Sequence, residues 1–149
     1  MKVLRNSCKG AYVVTVFISI LLVCSGWPSE TKAEAQDAEL HLNRARSYLG
    51  KGMWGDGMME IRRALRIDPN YPEAHYLLGV VYSNLGHWQE VASAAEEAVR
   101  LKSDYAEAQY LLGVAYFRLG NRSSALEQHR VLEDLDLILA NKLLNLIAN

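Results

Sequence analysis

Cysteine is scarce in this chain of 149 residues: Cys8 and Cys24 are the only two, so no disulfide framework can form after residue 24. Proline is scarce as well, with only Pro28, Pro69 and Pro72, which leaves long stretches free to stay helical. A basic surface is missing. Three of the 16 Lys and Arg residues (Lys2, Arg5, Lys9) precede residue 27 while all 17 acids follow it, which leaves the rest of the chain at a net charge of −4. Phosphate backbones are held by clustered cations, so this balance speaks against a nucleic-acid partner. Catalytic and metal signatures are lacking too. No HExxH or CxxC occurs, and His41, His75, His87 and His129 are scattered, so they read as packing and turn residues, with no cofactor, no metal and no enzyme activity expected.

The one long apolar run is Ala11 to Cys24, "AYVVTVFISILLVC", preceded by the three basic residues. That layout is an export signal, and it is shorter than the roughly 20 apolar residues of a spanning helix. Residues 1–26 are therefore expected to be a signal peptide or N-terminal membrane anchor, and 27–36 a linker. Three outcomes stay open: cleavage at the Ala33-Glu34-Ala35 pattern, retention as an anchor, or lipidation of Cys24, whose "LLVC" resembles a bacterial lipoprotein box with Leu22 and Val23 in place of small residues. Each places the domain outside the cytoplasm, periplasmic or anchored at the cell envelope.

Beyond the leader the chain repeats itself. "YLLGVVYSNLG" at Tyr76–Gly86 returns as "YLLGVAYFRLG" at Tyr110–Gly120, an interval of 34. Tyr48, Tyr82 and Tyr116 coincide at that spacing, as do Gly52, Gly86 and Gly120, and Ala45, Gly79 and Gly113. Within a unit, Leu78, Tyr82 and Leu85 share one helical face and Val91, Ala95 and Ala98 another, which predicts two helices per unit. Glycine after each first helix marks the turn, and "DPN" at Asp68–Asn70 marks the break between units.

These residues resemble the tetratricopeptide repeat, with His75, Leu78, Gly79, Tyr82, Val91, Ala95 and Ala98 at its pattern positions in the second unit. The third unit matches through Leu112, Gly113, Tyr116 and Ala125, and the first through Ala45, Tyr48 and Ala64, with His41, His75 and Gln109 in place of the opening tryptophan. The fold class implied is all-α: an α-solenoid of three helix-turn-helix repeats (38–71, 72–105, 106–137) closed by a capping helix over 138–148, the whole domain spanning 37–149. The first unit, with Arg44 at an apolar position and Gly55 and Gly57 in its second helix, is expected to be the weak end.

The resemblance also implies a concave groove lined by the first helices. Carried onto this chain, its partner-binding positions are Leu42 and Arg46; Glu73, Tyr76, Val80 and Asn84; and Glu107, Tyr110, Val114, Phe117 and Arg118. The set of Lys and Asn side chains with which some relatives grip a terminal carboxylate is missing. The implied function is an adaptor or scaffold that binds a segment of another protein at a bacterial envelope, an apolar helix or extended stretch with basic residues for the glutamate rim. The alternative is a self-associating structural subunit, a homo-oligomer with no separate client.

Overall fold

The computed structural model describes residues 27–149; the leader and Cys24 lie outside the described residues. Seven helices and no strand are found among the described residues: α1 (Trp27–Gly50), α2 (Trp54–Ile67), α3 (Pro72–Leu85), α4 (Trp88–Leu101), α5 (Ala106–Arg118), α6 (Arg122–Leu135) and α7 (Leu137–Ala148). Three hairpins, α1/α2, α3/α4 and α5/α6, are followed by one closing helix, and the compact unit spans Asp37–Asn149. The segment expected to be a linker, 27–36, is instead the beginning of α1. From Ser29 to Leu49 there is no proline or glycine to stop a helix, so the first turn propagates into the repeat.

Each hairpin turn is built the same way. Gly52, Gly86 and Gly120 take φ of 73°, 75° and 80°, the left-handed region that glycine enters without a Cβ penalty. The next N–H then closes back on the repeated tyrosine carbonyl: Met53 to Tyr48 at 3.0 Å, His87 to Tyr82 at 3.0 Å, Asn121 to Tyr116 at 2.8 Å. This is the 6→1 bond of a Schellman cap. Between units the chain leaves helical geometry at Tyr71 and Tyr105 before α3 and α5, with the first break held by Asp68 Oδ1, which accepts from the Asn70 N–H at 2.9 Å. After α6 the link shrinks to Asp136, whose carboxylate caps α7 by accepting from the N–H groups of Ile138 and Leu139.

Small residues set how closely the hairpins stack. A Cβ placed on Gly79 would lie 2.9 Å from Leu111 Cδ2, so the missing side chain is a notch that receives a leucine of the next unit. Gly113 offers the same notch to Leu143 of α7. The closing helix thus occupies the place of a fourth unit's first helix, burying Ala140, Leu143 and Ile147 against Ala125 and Leu132. In the first hairpin, Gly57 is buried and admits Leu49, since an added Cβ would lie 2.5 Å from Leu49 Cδ2. The glycine that looks like a helix weakness in sequence is a packing requirement of α1 on α2.

Candidate functional site

The first helices α3 and α5 pack directly on one another, and α5 packs on α7, so their exposed residues form one continuous face. Its residues come from the helix turns left over once Ala74, Gly79 and Val81, and Ala108, Leu112, Gly113 and Ala115, are turned inward. Eleven positions were expected on this face; the structure sorts nine of them into three groups and gives Asn84 and Arg118 contacts of their own.

Leu42 does not belong to it. At 0% exposure it sits in the core with Ala45, Ile61, Ala64, Ala74 and Val81, and Tyr71 packs against that cluster. The reason is a repeated contact absent from the expectation. Tyr71 and Tyr105, 34 residues apart, enter from the inter-unit loops; Tyr105 packs against Tyr76, ring centroids 5.2 Å apart and planes at 51°. Leu42 stands where Tyr76 stands one unit later, and a leucine is small enough to vanish under the arriving tyrosine while Tyr76 stays half-buried. The 34-residue spacing of Tyr71 and Tyr105 was the signal that could have found them.

Tyr110, Val114 and Phe117 form the second group. They are half-buried and pack against the cluster made by Ala140, Leu143 and Ile147, with Lys142 Nζ 5.0 Å from the Tyr110 ring centroid. The third unit's share of the face therefore lies against α7. Arg118 is turned over Trp88 at 5.3 Å, and Asn84 donates to the Val80 carbonyl of its own helix at 2.9 Å.

What remains together is Arg46, Glu73, Tyr76, Val80 and Glu107, joined by Tyr105 and by Lys102, whose Nζ lies 5.1 Å over the Tyr105 ring. Arg46 donates to Asn43 Oδ1 at 2.9 Å. Burial pushes the Tyr76 and Tyr105 hydroxyls up, and the negative charge of Glu107, with Glu73 for Tyr105, adds to it. Both phenols stay protonated at neutral pH.

Two other features stand apart from this face. His41 Nδ1 donates to Glu60 Oε2 at 2.6 Å, and Arg63 pairs with the other carboxylate oxygen; Glu60 is 6% exposed. Its carboxyl is held below the usual range, chiefly by the His41 hydrogen bond, with burial opposing and the Arg63 charge assisting. A depressed folded pKa contributes stability that is present above the unfolded value and lost as pH falls through the folded one. Glu60→Gln should therefore flatten the acid limb below about pH 4.5, so that urea melts of the variant change less than wild type on further acidification. His75, in the place equivalent to His41, bonds the Pro69 carbonyl at 2.9 Å instead. Among the described residues no group of three His, Cys, Asp or Glu side chains is placed to hold a metal.

The second feature is a cleft of about 680 Å³ between α3 and α4, lined by His75, Leu78, Tyr82 and residues of α4 including Glu90, Glu97 and Arg100. One junction further on, Tyr116 donates to Glu96 at 2.8 Å across the units; the residue equivalent to Glu96 in α2 is Arg62, and Tyr82 has no such bond. The Tyr116 hydroxyl is pushed up to about 12 by burial and by that bond. Arg100 is spent on Glu97 through two contacts of 2.8 and 2.6 Å.

The geometry matches known proteins. Residues 62–86 match the family model described as TPR repeat, and no curated protein matches the chain. The first TPR of Spaghetti (RPAP3), solved with the HSP90 peptide SRMEEVD, superposes with a TM-score of 0.73 at 21% identity, over 76% of this chain and 92% of that one. The second TPR domain of human RPAP3, solved with the HSP70 peptide SGPTIEEVD, gives 0.69 at 18% identity, over 80% and 98%. MamA gives 0.69 at 25% identity, over 78% and 69%. The described residues have the all-α fold of a tetratricopeptide-repeat stack, with three hairpins and a closing helix.

Proposed function

We propose that this chain is an adaptor that binds a segment of another protein along the face of its first helices, exported to a bacterial envelope and acting by binding rather than by catalysis. The observation that carries the reading is the tilted Tyr76–Tyr105 pair, half-buried in the middle of that face with Val80 beside it. Aromatic rings with polar tips bury large area at low entropic cost, which suits them to interfaces. The two RPAP3 domains, solved with peptides, support a protein segment as the class of ligand.

The compartment rests on the leader's sequence alone, Lys2, Arg5 and Lys9 ahead of the Ala11–Cys24 run. Mass spectrometry of the mature N-terminus reads it directly: a start at Cys24 with added lipid, a start after Ala35, or an intact leader each fit an exported chain, and a cytoplasmic pool with free Met1 overturns it. The double variant Tyr76→Ala/Val80→Ala is expected to weaken capture of a native partner by about 30-fold or more, the scale of a central interface anchor. Unchanged capture by a folded variant would move the site elsewhere.

A second reading has its own support. Leu137 and Ile138 of α7 are 63% and 79% exposed, with Leu144 beside them, an apolar edge that suits self-association. Sedimentation across a concentration series separates the two: a dimer lost on Ile138→Glu favours the structural subunit.

A further inference from the structure

The charges around the tyrosine pair select among protein segments, and this step rests on the reading of the face as a binding surface. Glu39, Glu73 and Glu107 recur at 34-residue intervals in the opening turns or exposed flank of α1, α3 and α5. Glu73 precedes Tyr76 by three residues, one helical turn, and its charge reaches the Tyr105 hydroxyl, while the charge of Glu107 reaches the hydroxyls of both rings, so the two carboxylates lie about the pair. Of the polar side chains expected to answer an acidic segment, Arg118 lies over the Trp88 ring and the neutral Asn84 amide bonds a backbone carbonyl, so Arg46, bonded to the neutral Asn43, is the one cation of that set facing the pair, against the two carboxylates Glu73 and Glu107.

The tyrosines of this face already attract cations from the chain itself. Lys102 lies over Tyr105 and Lys142 over Tyr110, at 5.1 and 5.0 Å. Among the described residues no Lys or Arg lies over Tyr76, although it is the most central of the three. A ring face with two neighbouring carboxylates attracts an ammonium or guanidinium group through its quadrupole and through their charge.

We infer that the occupant of this face is a basic protein segment, one that seats a lysine or arginine head on the Tyr76 ring between Glu73 and Glu107 and lays apolar residues along Val80. The acidic SRMEEVD peptide of the RPAP3 structure is the opposite in charge, so the same backbone architecture here carries inverted selectivity.

The test uses the full chain and four fluorescein-labelled probes: a leucine–lysine peptide, leucine–glutamine and leucine–glutamate peptides of the same spacing, and SRMEEVD. The lysine peptide is expected to bind at least about tenfold more tightly than the glutamine peptide, a margin that shrinks as salt screens it, and the two acidic probes to bind weakest. Glu73→Gln/Glu107→Gln should remove that tenfold margin and leave the glutamine peptide unchanged. Tyr76→Phe, which keeps the ring, should hold it, and Tyr76→Leu should lose it. Glu90→Gln/Glu133→Gln, away from the face, should change nothing. Equal binding of lysine and glutamine peptides, both abolished by Tyr76→Ala, overturns the cation seat and keeps the binding face. Tighter binding of either acidic probe, or equal loss in the Glu90/Glu133 control, overturns the selectivity. Binding of every probe that ignores Tyr76→Ala overturns the face itself.

Discussion

Leu143→Ala is expected to lower the unfolding free energy by about 2–5 kcal/mol, the range for truncating a fully buried leucine in a packed site. Leu143 is 0% exposed and enters the notch left by Gly113, so the cavity would open between two helices with little freedom to collapse. Asp136 alone links α6 to α7, and the carboxylate cap on α7 ties the helix start to it, which restricts any sliding that could refill the space. Urea unfolding followed by far-ultraviolet circular dichroism measures the loss. A drop under 1 kcal/mol would mean that α7 is not a structural part of the stack. Because Tyr110, Val114 and Phe117 pack against the same cluster, the variant should also raise protease sensitivity in α5 before it does so in α3.

At the middle junction, Gly79→Val is expected to cost about 3 kcal/mol, near the top of the usual range for overpacking. The first carbon alone would lie 2.9 Å from Leu111 Cδ2 and 3.6 Å from the Ala94 Cβ, and two further methyl groups would add bulk beside α4 and α5 at this notch. Gly79→Ala is the informative companion. Alanine gains up to about 1 kcal/mol of helix propensity over glycine, which offsets part of the strain, so its net cost should be well below that of valine. Chemical denaturation of both variants reads the difference. Equal, small costs for both would show that Leu111 can vacate the notch and that the close approach is a convenience.

Much of this was legible in sequence because the repeat states it three times. The turn glycines and the repeated tyrosines whose carbonyls close each turn lie on the 34-residue comb and do the same physical work at every tooth, and the Gly79 and Gly113 notches do so at the last two. The start of α1 was not legible, since a leader followed by polar residues gives no periodic apolar signal that separates linker from helix. The binding face was half legible. Positions alone placed Leu42 beside Tyr76, but burial depends on what arrives from the next unit, and a leucine under Tyr71 disappears where a tyrosine under Tyr105 does not. The share of α5 taken by α7 depends likewise on the register of a helix that falls off the comb.

Both glycine recesses face the helix of the element that follows, α5 for Gly79 and α7 for Gly113, which gives the second and third modules a seat on the side toward their successor. A duplicate of residues 72–105 inserted after residue 105 would offer its own leucine to the recess before it and its own recess to the leucine after it. Length is therefore a variable that evolution or an engineer can alter in whole modules, lengthening the surface available to a partner while redrawing no junction.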